Sequence, residues 1–169
     1  MNRQAAYWID ALGLKPHPEG GYYRESYRAR GAIPAKGLPP SFRGPRSFST
    51  AIYFLLEGSR RSMLHRIRSD ELWHFYRGTA VVLHIINAKG RYSQVRLGPN
   101  PGKGEVLQAV VPAGCWFGAK PANRRSYGLV GCTVAPGFDF RDFELGNRTS
   151  LIRRYPQHRR VIEELTSGS

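Results

Sequence analysis

The chain has 169 residues, which suits one domain with a buried core, and 26 Lys and Arg against 12 Asp and Glu give a formal net charge of +14. This charge favours an anionic partner, although the basic residues are scattered and a solvated basic surface is the alternative. Because no run of five residues is wholly basic and no RRM-type motif occurs, nucleic-acid binding is not predicted.

The N-terminal part of the chain predicts a helix, a strand and a loop. Trp8, Ile9 and Leu12 recur at helical spacing, so a short helix is predicted over residues 3–13, with Gly13 at its end. The Pro and Gly residues of LKPHPEGG end the helix, and the tyrosines that follow favour a strand. Residues 29–46 are rich in Pro and Gly and predict a surface loop.

From residue 47 to residue 145 the chain is a series of short β-rich runs, each ending in Gly, Pro, Asn or a charged turn. Several short strands at close, even spacing predict a sandwich or a barrel. Residues 150–165 are helical in pattern and are interrupted by Pro156. We therefore predict a single all-β domain over residues 1–169, with short α-helices near its ends.

Cysteine spacing and hydropathy indicate where in the cell the protein is expected. Cys115 and Cys132 form no CxxC pair, which argues against a zinc knuckle or a thioredoxin-type site. The N-terminal segment has no apolar core of a signal peptide, and the longest apolar runs, AIYFLL and AVVLHII, are too short to span a bilayer. We expect a cytoplasmic protein with free thiols and no membrane partner.

Strand alternation predicts a pocket in the middle of the chain. Residues two apart in a strand share a face, so His65 lies on the same face as its neighbours at 63 and 67, and Glu71 on the same face as those at 73 and 75. If both faces point inward, an imidazole and a carboxylate meet in an apolar pocket, where each serves the other or both serve a ligand. The predicted pocket walls are Met63, Ile67, Trp73 and Phe75.

The same stretch resembles the first motif of the cupin superfamily, G-x5-HxH-x3,4-E-x6-G. The matching residues are Gly58, His65, Glu71 and Gly78, with Ile67 at the second histidine position. The leading glycine is one residue further away than the pattern asks.

The second cupin motif, G-x5-7-PxG-x2-H-x3-N, is matched in part. Gly104, Pro112 and Gly114 fit, whereas Phe117 stands at the histidine position and Pro121 at the asparagine position. Two motifs in the right order within a β-rich chain are fairly specific for the cupin fold.

A closer resemblance, along nearly the whole chain, is to a subfamily of small single-domain cupins, the Cupin_5 type. The segments that carry it are HPEGGYYRESYR, HRIRSDELWHFYRG, VPAGCWFGA and GCTVAPGFDFRDFEL. This resemblance implies a jelly-roll β-barrel that pairs as a homodimer, and no established reaction. The subfamily is distantly similar to deoxysugar-nucleotide epimerases and to auxin- and seed-globulin-type binding cupins.

The metal site that the superfamily resemblance implies is incomplete in this sequence. Cupins hold a metal ion with three histidines and a glutamate, and only His65 and Glu71 remain at those positions, since Ile67 and Phe117 have no lone pair to donate. His65 and Glu71 are thus weak metal candidates, and we expect no cofactor. An apolar wall in place of the ion favours a small-molecule site and a metal-free acid–base pair.

The candidate roles follow from residue chemistry. His65 is the candidate base and Glu71 orients it, Tyr76 and Tyr53 are candidate acids, and Arg24 is a candidate anchor for an anionic group. Arg24 has an alternative as a surface ion-pair partner of Glu25 or Glu19. Packing is the alternative role of each tyrosine, and also of Trp73 and Trp116, which could otherwise stack on a ligand.

The function hypothesis is a small-molecule-binding cupin, acting as a metal-independent isomerase, epimerase or lyase on a small polar or anionic substrate. Two alternatives stay open: a ligand-binding cupin without turnover, and a metal-dependent dioxygenase-type cupin with an incomplete ligand set. Whether the protein is an enzyme at all is not decided by the sequence.

Overall fold

The computed structural model describes residues 2–168 and has two large antiparallel sheets that face each other, with short helices on their outer surfaces. The strands in chain order are β1 (Lys15–Pro16), β2 (Tyr22–Arg28), β3 (Ala32–Ile33), β4 (Arg46–Ser47), β5 (Thr50–Glu57), β6 (Ser62–Arg66), β7 (Asp70–Gly78), β8 (Val81–Ile86), β9 (Tyr92–Leu97), β10 (Glu105–Val106), β11 (Gln108–Val111), β12 (Trp116–Pro121), β13 (Tyr127–Ala135) and β14 (Glu144–Leu145).

The strand order confirms the predicted all-β jelly-roll barrel. The first sheet has the order β1-β2-β5-β13-β7-β11 and the second has the order β10-β9-β8-β12-β6-β14, while β3 and β4 form a separate two-stranded ribbon. Successive strands alternate between the sheets for much of the chain, and only β10 with β9 is a parallel pair among the residues described. β1 and β2 belong to the first sheet, so the barrel includes residues before the predicted start at residue 47.

Three helices flank the sheets. Helix α1 (Arg3–Ala11) begins at Asn2, whose side chain accepts hydrogen bonds from the backbone N–H groups of Gln4 and Ala5, and it ends two residues before the predicted boundary. Helix α2 (Arg148–Arg154) and helix α3 (Arg159–Glu164) are separated by a 3-10 turn that begins at Pro156, where the sequence predicted a break. Within residues 2–168 no helix has the length and apolarity needed to cross a membrane.

The apolar residues form a main core between the sheets and two smaller clusters outside them. The main core includes Phe54, Trp73, Phe117 and Val130, which are almost fully buried. A second cluster packs α2 and α3 against the outer face of the second sheet, and a third packs α1 against the outer face of the first. Both sheets are therefore covered by helix on part of their outer faces, and the space left between them at one end of the core becomes the site described next.

Candidate functional site

A cavity of about 510 Å³ opens between the sheets. Its floor is formed by inward-facing side chains of β5, β6, β7 and β13, and its mouth by β1, β2 and the segment that follows β13. The titratable side chains in the cavity belong to His17, Glu19, His65, Glu71 and Cys132. Its apolar walls are Ile52, Phe54, Ile67, Trp73, Val134, Phe138 and Phe140. The charged residues that also line it include Lys15, Arg24 and Arg28. The volume suits a small-molecule ligand.

His65 is held rigidly at the floor of the cavity. It lies on β6, its ring centroid is 4.1 Å from that of Phe117 on β12, and it stacks on Phe143 at 5.3 Å. Its Nδ1 is 2.7 Å from the carbonyl oxygen of Met63. A carbonyl oxygen only accepts hydrogen bonds, so Nδ1 carries a proton and donates it, and in the neutral ring Nε2 has a free lone pair.

The lone pair of His65 Nε2 points at Glu19, which is buried. Glu19 Oε2 is 3.1 Å from His65 Nε2, and Glu19 Oε1 accepts a hydrogen bond from Ser62 Oγ at 2.7 Å. The backbone brings Glu19 there, because its carbonyl accepts from the N–H of Met63 at 2.8 Å. Gly20 follows with φ +109°, and a Cβ at Gly20 would overlap the carbonyl oxygen of Arg61, so only glycine allows this close approach.

Burial makes the neutral form of this pair the favoured one. It raises the pKa of the Glu19 carboxyl to about 8, although the hydrogen bond from Ser62 opposes the shift, and it lowers the pKa of His65. With the proton on Glu19 Oε2, every polar atom is satisfied: Oε2 donates to His65 Nε2, Oε1 accepts from Ser62, and Nδ1 donates to Met63. Glu19 and His65 therefore share one proton inside the cavity.

Glu71 is a second buried carboxyl that lines the same cavity. Burial raises its pKa to about 7, His65 and the Cys132 thiol act in the opposite direction, and the buried Cys132 hydrogen-bonds to it. Within residues 2–168, however, no contact of 4 Å or less joins a nitrogen of His65 to an oxygen of Glu71. The expectation that these two side chains face each other directly is therefore corrected, because Glu19 occupies the position next to His65.

His17 completes the polar group on the opposite side of Glu19. Its Nδ1 accepts a hydrogen bond from the Glu19 backbone N–H at 3.2 Å and lies 3.5 Å from Glu19 Oε2. Burial and the proximity of His65 lower its pKa to about 4, so the ring is uncharged at neutral pH. The floor of the cavity thus contains two imidazoles and two carboxyls.

The mouth of the cavity carries positive charge. Lys15 lies over the ring of Tyr23, with its Nζ 5.5 Å from the ring centroid, and Arg24 lies over Tyr53, with its Cζ at 5.8 Å. Neither forms an ion pair within residues 2–168, whereas Arg28 is held by two hydrogen bonds to Glu25, at 2.7 and 2.9 Å. Arg24 is thus not a surface ion-pair partner of Glu25 or Glu19. Because Arg24 pairs with Tyr53 across the strands, its guanidinium group lies on the outer face of the sheet beside α1, which corrects its prediction as an anchor in the pocket. Lys15 is the cation that stands at the entrance without a carboxylate partner.

The structure brings half of the predicted site residues to the cavity. His65, Glu71, Ile67, Trp73 and Arg24 line it. Phe117 packs against His65 from behind without reaching the cavity lining, and Phe75 lies inside the core, away from the cavity. The backbone of Met63 supports the site through its N–H and its carbonyl group, but its side chain does not line the cavity.

Tyr53 and Tyr76 are placed outside the cavity, as a correction to their prediction as pocket and catalytic residues. Tyr53 faces the cluster under α1, and its ring centroid is 6.1 Å from that of Tyr76, which is half exposed and packs over Gly131. Alternation is the reason: residues 71, 73 and 75 point inward along β7, so residue 76 points outward.

The sequence analysis did not identify His17 and Glu19 as site residues. Both belong to the HPEGG segment, from which the sequence predicts a family resemblance and a glycine turn. For Glu19 it predicts only a surface ion pair with Arg24. The signal that could have found them is a histidine and a glutamate two residues apart, just before a Gly-Gly turn that leads into a strand. In an extended segment that spacing places both side chains on one face.

The donor atoms of the cavity do not fit a cupin metal ion. Ile67 and Phe117 replace two of the histidines, and Phe117 fills the space beside His65. The nitrogen and oxygen atoms of His65 and Glu19 are used in hydrogen bonds to each other, to Met63 and to Ser62. In the described part of the chain no group of three or more His, Cys, Asp or Glu side chains has a geometry that could hold a metal.

Comparisons with known proteins agree with this architecture. Residues 6–146 match the Cupin_5 family, described as "Cupin superfamily (DUF985)". A hypothetical protein from Leishmania major is 36% identical, with a TM-score of 0.87, over 99% of this chain and 100% of its own. A protein from Shewanella oneidensis is 37% identical, also with a TM-score of 0.87, over 100% of this chain and 99% of its own.

A more distant likeness extends to larger cupins. Oxalate decarboxylase from Bacillus subtilis aligns with 91% of this chain and 40% of its own length, at 14% identity and a TM-score of 0.54. At this identity the likeness shows a shared fold only. No curated protein matches the chain significantly.

The shared proton of Glu19 and His65 predicts an unusual pH dependence of stability. The carboxyl pKa of Glu19 is higher in the folded protein, at about 8, than in an unfolded chain, at ~4.3, so the folded state binds more protons between these values and stability falls as pH rises. Burial lowers the pKa of His17 and His65, so these histidines make stability rise with pH, but only below about pH 6.5. Glu71, whose pKa burial raises to about 7, acts in the same sense as Glu19, so we expect the wild type to lose at least roughly 1 kcal/mol per pH unit between about pH 6.5 and pH 8.

The Glu19→Gln variant tests this expectation. Glutamine does not titrate, so urea unfolding of the variant should show a clearly flatter slope of unfolding free energy against pH in that window. Glu25→Gln, an exposed glutamate in the strand that follows, is the matched control and should keep the wild-type slope. Equal slopes in the wild type and Glu19→Gln would contradict a raised carboxyl pKa.

A second prediction concerns metal content. Because the donor set is incomplete and its atoms are engaged, we infer that the protein folds without a metal ion. Elemental analysis of protein purified without chelators should find well below one transition-metal ion per chain, and EDTA should leave the thermal melting temperature unchanged. One equivalent of tightly held metal, removed by EDTA with a drop in melting temperature, would overturn the inference.

Proposed function

Because the chain belongs to the Cupin_5 family of the cupin superfamily, and because a proton-sharing pair lines its cavity, we propose that it binds a small polar, anionic molecule between its two sheets. The observation that carries the proposal is the 3.1 Å contact between Glu19 Oε2 and His65 Nε2. Buried titratable groups with shifted pKa values are concentrated at functional sites, and this pair faces a cavity of ligand size instead of being sealed in the core.

The proposed chemistry is a metal-independent isomerisation, epimerisation or elimination. Each of these reactions removes a proton from carbon and delivers a proton elsewhere, so it needs two groups that exchange protons near neutral pH. The Glu19–His65 pair is one such group, and Glu71, with a pKa of about 7, is the other. His65 stays in the proposed acid–base pair, with Glu19 in place of Glu71 as its partner. Glu71 is proposed as a separate acid–base group instead of the residue that orients His65.

Tyr76 has no part in this proposal, because its side chain lies on the outer face of the first sheet. The acid role assigned to a tyrosine passes to a carboxyl that is protonated at neutral pH. A carboxylic acid in an apolar cavity can donate a proton as a phenol does, because burial disfavours its charged form.

The entrance supports an anionic ligand. Lys15 lies on β1, over the ring of Tyr23 on the paired strand β2, and has no carboxylate partner in residues 2–168. An anionic group bound there would leave the rest of a small ligand free to reach the neutral floor. Charge-assisted hydrogen bonds of this kind contribute more to affinity than neutral ones.

The first alternative, a cupin that captures a ligand without turnover, uses the same cavity and the same entrance. It differs only in whether the acid–base pair moves a proton of the ligand. The dioxygenase alternative requires a metal ion, for which the donor set is incomplete. The resemblance to deoxysugar-nucleotide epimerases motivates including nucleotide sugars among the test ligands.

Binding and proton exchange are the experiment that separates these functions. A thermal-shift screen of nucleotide sugars, keto acids and aromatic acids identifies ligands, and proton NMR in deuterated water then follows loss of carbon-bound hydrogen from each ligand. Under the enzyme proposal Glu19→Gln should slow exchange by roughly 10²–10⁴-fold, the usual contribution of a general acid or base. Lys15→Ala should weaken binding of an anionic ligand roughly tenfold or more.

Tyr76→Phe is the matched control, since it lies outside the cavity and should leave both binding and exchange unchanged. Binding without exchange in the wild type would support the capture alternative. A screen in which no ligand raises the melting temperature, or in which Lys15→Ala has no effect on any anionic ligand, would count against the proposed site.

We also infer a homodimer, which the family resemblance implies. The outer face of β7 and β11 exposes a group of apolar side chains next to the edge of the first sheet, and Leu72 pairs directly with Val110 across the two strands. The group comprises Leu72, Tyr76, Leu107 and Val110. Contiguous apolar patches on an exposed sheet edge are typical of protein interfaces.

Sedimentation velocity tests the dimer. The wild type should sediment as a dimer of the 19.1 kDa chain at micromolar concentration, and Val110→Asp should shift it towards the monomer. Tyr7→Asp, on the exposed side of α1, is the control and should leave the dimer intact. A monomeric wild type, or a dimer indifferent to Val110→Asp, would refute this surface as the interface.

A further inference from the structure

His17 presents a defined hydrogen-bond donor to the cavity. The Glu19 backbone N–H donates to Nδ1 at 3.2 Å, so Nδ1 carries no proton and the neutral ring must carry it on Nε2. Within residues 2–168 Nε2 hydrogen-bonds to no group, although His17 lines the cavity. His17 therefore presents to the cavity an N–H group that a ligand acceptor can bind.

The ring of His17 is fixed in this orientation. Its centroid is 4.4 Å from that of Tyr23, 6.0 Å from that of Phe54 and 6.1 Å from that of Phe140, with edge contacts to the first two and a stacked contact to the third. Aromatic side chains on these sides and a hydrogen bond on Nδ1 leave little freedom to rotate. The donor is therefore preorganised before any ligand binds.

The position of His17 relative to the acid–base pair suggests what the donor is for. Nδ1 lies 3.5 Å from Glu19 Oε2, so Nε2, on the far side of the same ring, is one ring width further along the cavity. Because both side chains line the cavity, a small ligand that contacts Glu19 also has the His17 ring within reach. This juxtaposition suits a carbonyl group next to the carbon that loses its proton.

We propose that His17 donates a hydrogen bond from Nε2 to the carbonyl oxygen of the substrate, and that the substrate is a carbonyl compound with a hydrogen on the adjacent carbon. The proposal rests on the proposed function, whose reaction classes it narrows to proton transfer next to a carbonyl. An uncharged imidazole suits this role, because it stabilises a developing oxyanion without transferring its own proton.

In the proposed step the Glu19–His65 pair removes a proton from the substrate carbon while His17 donates a hydrogen bond. The carbon–hydrogen bond breaks, its electron pair forms a carbon–carbon double bond, and the carbonyl π pair moves to oxygen, where the Nε2–H of His17 donates to it. The released proton binds to Glu19 Oε1 while the proton on Oε2 moves to His65 Nε2. The pair then holds two protons and one positive charge, opposite the single negative charge of the enolate.

The product forms when a proton returns to the substrate, and no further reagent is needed. Return of a proton to the same carbon from the other face gives an epimer. In a hydroxycarbonyl compound, transfer of the hydroxyl proton to the enolate oxygen and return of the carbon-bound proton to the former carbonyl carbon give an isomer. Glu71 is the second proton-carrying group in the cavity and is placed to supply that proton. No oxidant, reductant or metal ion is needed for this step.

Nitrogen-15 NMR of the histidine rings tests the donor directly. The wild-type protein should show His17 as the neutral Nε2–H tautomer at pH 7, assigned by comparison with His17→Gln. An Nδ1–H tautomer, or a charged ring at pH 7, would overturn the proposal. This measurement needs no ligand, and through-bond assignment of the His17 ring replaces the comparison if His17→Gln fails to fold.

Matched ligands test the carbonyl assignment. Phosphoglycolohydroxamate is a planar mimic of an enediolate, and glycerol 3-phosphate carries the same anionic group without the planar oxyanion. We expect calorimetry to show at least about tenfold tighter binding of the hydroxamate to the wild type. His17→Gln, which keeps an N–H donor, should retain most of this preference, and His17→Phe should lose it with unchanged affinity for glycerol 3-phosphate.

The outcomes separate the two proposals. If both phosphates bind the wild type equally, or if His17→Phe keeps the preference, the role of His17 is refuted while the anion-binding cavity stands. If neither phosphate binds, the anionic ligand of the proposed function is refuted together with the carbonyl assignment. Loss of binding of both phosphates in His17→Phe alone would indicate a structural role, which also refutes the proposal.

Discussion

The contact between Glu19 and His65 is the interaction on which the rest of the site depends. A buried carboxylate or a buried imidazolium alone would cost several kcal/mol, whereas a protonated carboxyl that donates to a neutral imidazole leaves no charge in the cavity floor. The orientation is determined at both ends, by Ser62 on the carboxyl and by the Met63 carbonyl on the ring. The pair is therefore stable only as a unit that contains one mobile proton.

Distant segments of the chain must meet for this unit to form, and backbone contacts bring them together. The HPEGG segment lies against the turn between β5 and β6, where Gly20 passes the carbonyl of Arg61 and the N–H of Met63 donates to Glu19. Since β6 also pairs with β12, the same strand that positions His65 is buttressed by Phe117. The barrel thus determines the geometry of the pair through sheet pairing, and the loop contributes the second partner.

The sequence predicts what depends on local periodicity and misses what depends on long-range packing. Alternation along β6 and β7 correctly directs His65 and Glu71 inward, and it also explains why Tyr76 faces outward. No periodicity relates Glu19 to His65, 46 positions later, so their contact could not be derived without the fold. The barrel could be predicted because strand spacing and turn residues are local features, and because the resemblance covers nearly the whole chain.

The distribution of charge across the cavity links its shape to its chemistry. Ile67, where other cupins have a metal ligand, adds an apolar wall to the cavity, and burial keeps the nearby carboxyls protonated to about pH 7 or 8. Lys15 remains at the solvent-exposed entrance, where water stabilises its charge. A ligand with one charged end would bind with that end at the entrance and its neutral end against Glu19 and His17. In such a cavity a hydrogen-bonded proton can stabilise a developing negative charge, as a metal ion does in metal-binding cupins, because a low-dielectric floor strengthens each hydrogen bond to that charge.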